Sequence, residues 1–592
     1  MFAEWTSRYQ KIKKMPGSNP SIREASALVC DGNAQSRGLI VSHLREFGVG
    51  RIVQCSRPSD ARLKLELGTY DLVVCEQHFD AEDTTGQELL DDLRQNCMLP
   101  FFTIFVIVTS QATYSKVAEA AESALDAYLI KPHTSTALTD RIALARDRKI
   151  ALHDIFDAID RENYREAARL CKQRFDARGP YWLHAARIGA ELMLRIGEFA
   201  QAQSLYEAVA NAKTLPWARL GIARVQMANA EPEKAVSTLQ KLVDAQPGYS
   251  DAYDIMARAQ FEMGDFRQAM ETFKLSTRLT PSSVSRLLKH GLMAYYVGER
   301  EEGIELLERA IQIGQESKLF DPQAWVLAAF SKLDAYEPKG LNRCRDGLRD
   351  YCERHPEKDR AKRLLETVQT MVAIQDHQIA RALDDIRFLH KQVLDPAFDF
   401  EAACNLLSLM TRLAIRSIQL YEVEAAVDTM GLRFASSKAL TQLLCCAVAE
   451  RQDFAKRIQQ GFDAVSKWSE EAMTLCLDGK PQAAVEKLLT QGKGSCNAKL
   501  IESAQSVLDR YRDDIENYDA LKAKADDMRE KYRTNELHAG LGDLPITGRS
   551  AGGISLPTSY KPSNRKGLLA TRDEADSQNG GLWPATTGAS QG

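Results

Sequence analysis

The 592-residue chain contains no run of about 18 apolar residues, so no segment is long and apolar enough to be a membrane-spanning helix. The first twenty residues carry Lys11, Lys13 and Lys14 but lack the apolar core of a secretory signal. Charge of one sign is also lacking. Lys and Arg total 77 against 81 Asp and Glu, a net charge of −4, which provides no general attraction to nucleic acid or anionic membrane. Twelve cysteines form no CxxC pair, and several lie in apolar runs (Cys30, Cys75, Cys445, Cys446). That pattern fits buried thiols in a reducing compartment rather than a disulfide framework or zinc site. The expected location is the cytoplasm. There is no glycine-rich phosphate loop and no nucleophile elbow, so turnover by those chemistries is not expected.

What is present begins with a set of strand ends. Tyr70 to Cys75 is an apolar run closed by Glu76. Such runs, bounded by turn residues, read as strands of a parallel sheet buried on both faces. An acid at the carboxyl end of such a strand lies where open α/β sheets bind ligands. Three further runs end in polar residues: Ala27–Cys30 at Asp31, Phe105–Val108 at Thr109, and Ala127–Ile130 at Lys131. Two acids, a hydroxyl and a lysine therefore converge on one end of the predicted sheet.

In this order the segment from about Ser26 to Lys149 resembles a response-regulator receiver of the CheY type. Five strand-like runs alternate with five helix-like stretches. Thr85 to Leu90 is similar to that family's turn into its third helix. The resemblance implies a flavodoxin-like five-stranded parallel sheet. It assigns Glu76 to the phosphoacceptor position and Asp31 to the metal acid. It makes Thr109 the phosphoryl contact, Lys131 the charge partner and Tyr128 the switch aromatic. A histidine kinase is the partner implied for a live receiver, and pairing through the last helices and strands would make a homodimer.

The departures carry the functional argument. The family's phosphoacceptor is an aspartate, and here it is Glu76. The family's paired metal acids are here Asp31 and Gly32, so one carboxylate is missing. Mg²⁺ demands near-octahedral oxygens at short distances, and a side chain one methylene longer displaces them. A pseudo-receiver follows, with Glu76 paired to Lys131 and no cofactor bound; Mg²⁺ at Asp31 belongs to the alternative. That alternative is a phosphorelay component modified on another acid, such as Asp31 or Asp80. The single charge of Glu76 also falls short of the roughly −2 of a phosphoryl group, making it a partial mimic.

After the sheet domain the sequence repeats. Ala167, Ala202, Ala235, Ala269 and Gly303 step by 35, 33, 34 and 34 residues, and Cys171, Tyr206, Leu239, Phe273 and Leu307 follow each by four. Gly197, Gly264 and Gly298 precede the small residues in three of these units. A 34-residue period of this kind resembles the tetratricopeptide repeat. Small residues let two antiparallel helices approach, bulky ones fill the groove between pairs, and glycine makes the turn. Farther on the period blurs. Ile379–Val393 and Ala402–Tyr421 read as amphipathic helices, Arg343–Arg363 as a solvated face of mixed charge, and Tyr518–Tyr532 as a polar terminal helix that caps the array.

The expected organisation is a polar leader (1–23), a receiver or pseudo-receiver (24–150), tetratricopeptide repeats (151–315), degenerate helical repeats (316–532) and a disordered tail (533–592). The fold class is multidomain, α/β followed by an all-α solenoid. The function read from it is a non-enzymatic adaptor of two-component type that binds proteins through the array and the receiver face. Helical repeats can also read nucleic acid, but the balanced charge argues against that partner.

Overall fold

The computed structural model describes residues 24–79, 85–95, 99–110, 126–212, 215–281, 283–315, 320–356, 358–416, 423–532 and 534. The leader, Asp80 and all of the tail except Thr534 lie outside the described residues, as does the stretch between the fourth and fifth strands.

The N-terminal domain is a parallel sheet of β1 (Ser26–Cys30), β2 (Arg51–Cys55), β3 (Leu72–Glu76), β4 (Ile104–Thr109) and β5 (Ala127–Ile130), in the order β2-β1-β3-β4-β5. Strands β3 and β4 are buried along their whole length, as central strands covered on both faces must be. Helices α1 (Ala34–Glu46) and α4 (Ser135–Ala151) cover one face over Val29, Val74, Val106 and Val108. Helices α2 (Pro58–Leu67) and α3 (Gly86–Gln95) cover the other, over Leu28, Val73 and Phe105. This order is that of flavodoxin-like sheets, whose ligands bind beyond the carboxyl ends of the strands.

The solenoid follows with one intervening residue. Helix α4 ends at Ala151, Leu152 is fully buried, and α5 (His153–Asp160) begins at once. Helical hairpins then succeed one another: α5 with α6 (Tyr164–Asp176), α7 (Trp182–Arg195) with α8 (Phe199–Ala212), α9 (Pro216–Ala228) with α10 (Pro232–Ala245), α11 (Ser250–Met263) with α12 (Phe266–Leu279), and α13 (Val284–Val297) with α14 (Arg300–Gly314). The series continues through α15 (Gln323–Asp334) and α16 (Pro338–Arg354), then α17 (Asp359–Gln375) and α18 (Ile379–Lys391). Helices α19 (Phe400–Ile415), α20 (Val423–Phe434), α21 (Lys438–Ala447), α22 (Gln452–Leu477), α23 (Pro481–Ser495), α24 (Ala498–Arg510) and α25 (Tyr518–Tyr532) complete it.

The hairpin turns share one backbone device, a residue in the left-handed region. Gly197, Gly264 and Gly298 supply it at φ +80, +91 and +104°, but Glu162, Ala230, Tyr336 and His377 supply it elsewhere at φ 55–59°. A left-handed non-glycine residue costs roughly 1–2 kcal/mol, against roughly 0.5–1 kcal/mol of extra chain entropy for glycine. Ala230→Gly is therefore expected to stabilise the protein by about 0.5–1 kcal/mol, read as a higher denaturant midpoint. The small and bulky positions do the packing work the repeat requires. Ala202 and Ala269 are fully buried, and Tyr206 and Phe273 nearly so. A Cβ at Gly221 would lie 2.2 Å from the Tyr206 ring, so that glycine is the hole into which the tyrosine fits. Thr238 donates to Gln226 at 3.0 Å, and one repeat later Thr272 donates to Gln260 at 2.7 Å.

Two readings of the C-terminal half change. Arg360 and Arg363 leave the solvated charge face and turn inward. Arg360 binds Asp321 at 2.8 Å and also Glu401, and Arg363 binds Asp399 at 3.0 Å. Helix α19 is buried on every side from Ala403 to Leu413, so it is a central helix and not an amphipathic surface one.

A buried ion pair within the sheet domain lies at its junction with the solenoid, and Asp160 and Phe156 of α5 pack against it. The Lys149 ammonium bridges the Asp126 carboxylate at 2.9 Å and the Phe101 carbonyl. Arg148 holds Asp126 at 3.2 Å. The Phe101 N–H donates to Asp160 of α5 at 3.2 Å, and its ring stacks on Phe156 and lies under the Arg94 guanidinium. Burial opposes the Asp126 carboxylate, but Lys149, Arg148 and Arg94 outweigh it and hold its pKa below the ordinary range. Burial lowers Lys149 to about 8 and raises Asp160 to about 6.

The Asp160 shift sets a pH dependence. An unfolded aspartate titrates near pH 4. Between about pH 4 and 6 the folded chain keeps a proton that the unfolded chain releases, so stability falls as pH rises through that window. Asp160 retains some exposure, which reduces the expected change to on the order of 1–2 kcal/mol. Asp160→Asn keeps the acceptor for Phe101 and should flatten the slope, as followed by thermal melting from pH 4 to 7.

Candidate functional site

The site lies at the carboxyl end of the sheet, the end away from the solenoid. Because the strands are parallel, Asp31, Glu76, Thr109 and Lys131 emerge together, while Phe101 and Asp126 lead into β4 and β5 at the opposite end. A six-residue strand separates the two ends by about 20 Å.

Lys131 is the centre. Its ammonium hydrogen-bonds Asp31 Oδ2 at 2.7 Å and reaches Glu76 Oε2 on its other side. Burial works against the ammonium, but the hydrogen bonds and charges of Asp31 and Glu76 prevail and raise its pKa above the ordinary lysine value. The remaining carboxylate oxygens are also engaged. Asp31 Oδ1 accepts the Asn33 N–H at 2.8 Å, and Asp31 Oδ2 accepts the Ser36 hydroxyl at 2.7 Å. Glu76 Oε1 accepts the Gln77 N–H at 2.9 Å. Asp31 is 1% and Glu76 8% exposed, so a missing partner here would leave a buried charge uncompensated.

Several sequence-identified residues meet here and two do not. Thr109 is fully buried beside the site, and its carbonyl accepts the Lys131 N–H at 2.7 Å. Tyr128 is half-buried and packs with the Leu28, Phe105 and Ile107 face of the sheet rather than among the charges. Gly32 has no ligating atom, yet nothing forces a glycine there. A Cβ would meet Ser56 O at 3.7 Å and Phe79 at 3.8 Å, both ordinary contacts. Gly86 is different, since a Cβ there would fall 2.4 Å from the Glu76 carbonyl, so α3 can start against the site only with glycine. Sequence reasoning missed Asn33 and Ser36. Asn33 caps α1 through the Gln35 and Ser36 N–H groups, and an Asn two residues past a strand-ending Asp was the available signal.

Among the described residues the donor set does not fit Mg²⁺. It consists of two carboxylates whose inward oxygens face Lys131, and Gly32 contributes none. Among the described residues no group of three or more His, Cys, Asp or Glu side chains is placed to hold a metal ion.

Comparison with known proteins agrees with this geometry. Over 115 residues, 19% of this chain, the sequence is 26% identical to the chemotaxis protein CheY of Pseudomonas aeruginosa and covers 90% of it. It is 24% identical over the same length to the chemotaxis protein CheY-3 of Vibrio cholerae, covering 86%. The tetratricopeptide repeat family model matches residues 193–259. The chain couples a CheY-like receiver to tetratricopeptide repeats. The crystal structure of MamA aligns with 32% of this chain and 95% of its own, at 19% identity and a TM-score of 0.22. The receiver thus accounts for the α/β domain, and the repeat match covers α8 to α10 together with most of α11 and the end of α7. No described helix is long and apolar enough to cross a membrane.

Proposed function

We propose that this protein is a phosphorylation-independent adaptor of two-component type, in which a pseudo-receiver and a repeat array each dock a protein partner and no substrate is turned over. The observation that carries the reading is Lys131, which holds Asp31 and Glu76 at once. One ammonium already pairs with both carboxylates, the acids have further hydrogen-bond donors in Asn33, Ser36 and Gln77, and the second metal acid is absent at Gly32. A receiver in this condition offers a fixed surface instead of a switch. The repeats supply the second surface, since arrays of this kind present extended faces to peptides and helices.

The test is chemical. The full chain is incubated with Mg²⁺ and a small-molecule phosphodonor, and its intact mass is recorded. The expected result is an unchanged mass and no slow-exchanging acyl phosphate. A mass gain that maps to Asp31, Glu76 or Asp80 would overturn the pseudo-receiver in favour of a phosphorelay role with a histidine kinase as donor.

A further inference from the structure

Repeat arrays bind ligands on the inner face, which is built from the first helix of each hairpin. Here α7, α9 and α11 touch in succession, and so do α15 and α17, as that inner layer requires. In the middle of this array the inner face is not open. Helix α19 reaches it through Asn405 and Arg412, and α21 packs on α11 and α13, which lie more than 140 residues earlier in the chain. A single core runs from Ala257 to Ile458 as a result.

The contact between α19 and the inner face is polar and specific. Gln323 of α15 and Asn405 of α19 exchange amide hydrogen bonds at 2.8 and 3.0 Å, with both residues nearly fully buried. Seven residues on, two helical turns along the same face, Arg412 binds both Asp334 oxygens at 2.8 and 2.5 Å and lies over the Phe330 ring. Tyr296 of α13 packs against the core that contains Cys404. Ser408 ties α19 to the Ala447 carbonyl at the end of α21, and Arg300 pairs with Glu450 at 3.3 Å on the surface. The amide pair is buried on both sides, and Arg412 is buried while its partner Asp334 reaches solvent, so each contact ties one position of α19 to one position of α15. A core that merely filled space would not need them.

We propose that α19 is an intramolecular ligand of the inner face of α13 and α15, seated there by Asn405 and Arg412, and that it holds this stretch of the face closed to outside partners. The groove is read by an amide and a guanidinium two turns apart. While it is closed, outside partners are restricted to the receiver and the repeats before α11. This inference is independent of whether the receiver is phosphorylated.

The test is hydrogen exchange on the full chain. Arg412→Asp faces Asp334 with a like charge. It should speed exchange at least tenfold in α13, α15 and α19 while leaving α7 and α9 unchanged. Asp334→Arg should do the same, and the double variant with the charges exchanged should restore wild-type rates. If Arg412→Asp does not fold, Arg412→Lys keeps the charge but loses the two-pronged contact and should show the same regional pattern on a smaller scale. Acceleration of α7 and α9 to the same extent would make the region one cooperative core and overturn the proposal. So would unchanged rates in the single variants, or failure of the exchanged pair to restore them.

Discussion

Asp126→Ala is expected to lower stability by about 3–5 kcal/mol and to split one melting transition into two. The range is that of a buried pair broken from one side, where the remaining charge is left without compensation. Lys149 would be that charge, since it is almost wholly buried against Phe101 and Phe156. Lys149→Met should cost less, about 3 kcal/mol, because Arg148 would still hold Asp126 and the methionine would still cover Phe156. Calorimetry on the two variants and the parent checks both the size and the order. Equal losses, or a single transition in Asp126→Ala, would show that the contact does not join the two parts.

The second large effect is a gain. Gly32→Asp combined with Glu76→Asp should restore Mg²⁺ and beryllium fluoride binding to the receiver. The backbone at Gly32 is not left-handed and its surroundings have room for a Cβ, so the new acid enters without strain. Shortening Glu76 withdraws its carboxylate from Lys131 and frees oxygens for a cation. At least tenfold tighter Mg²⁺ binding than the parent is expected, about 1.4 kcal/mol. Titration followed by amide NMR, with shifts at Asp31, Thr109 and Lys131, is the measurement. The single variant Glu76→Asp should fall between the two, because the second acid is still missing. If the double variant binds no better than the parent, then something other than these two positions closes the pocket.

The site was largely legible in the sequence because each of its residues directly follows a strand. Strand ends are local signals, and parallel pairing brings them together without further information. The pairing of Glu76 with Lys131 follows from charge and proximity. The turns of the array were legible only where glycine or the repeat spacing marks them. Glu162, Ala230, Tyr336 and His377 take the same left-handed conformation without glycine's signature; the spacing of Ala167 and Ala235 places the first two, while the turns at Tyr336 and His377 have no such marker. Helix α19 misled for another reason. Its Asn405, Ser408, Thr411 and Arg412 read as a polar face, but each of them is buried, two of them against residues of α15, nearly eighty or more positions away. The junction through Phe101, Asp126 and Asp160 is likewise nonlocal, and no residue in it is unusual in its own segment.

The single buried residue between α4 and α5 has a consequence for two partners held at once. With no slack at Leu152, the distance between a protein on the receiver and one on the early repeats is set by the chain. A flexible tether would grant a moderate effective concentration to many pairs of sites. A rigid one grants a large avidity to a pair whose spacing matches and none to a pair whose spacing does not. Under the adaptor function proposed above, the chain would select assemblies by their dimensions as well as by their surfaces.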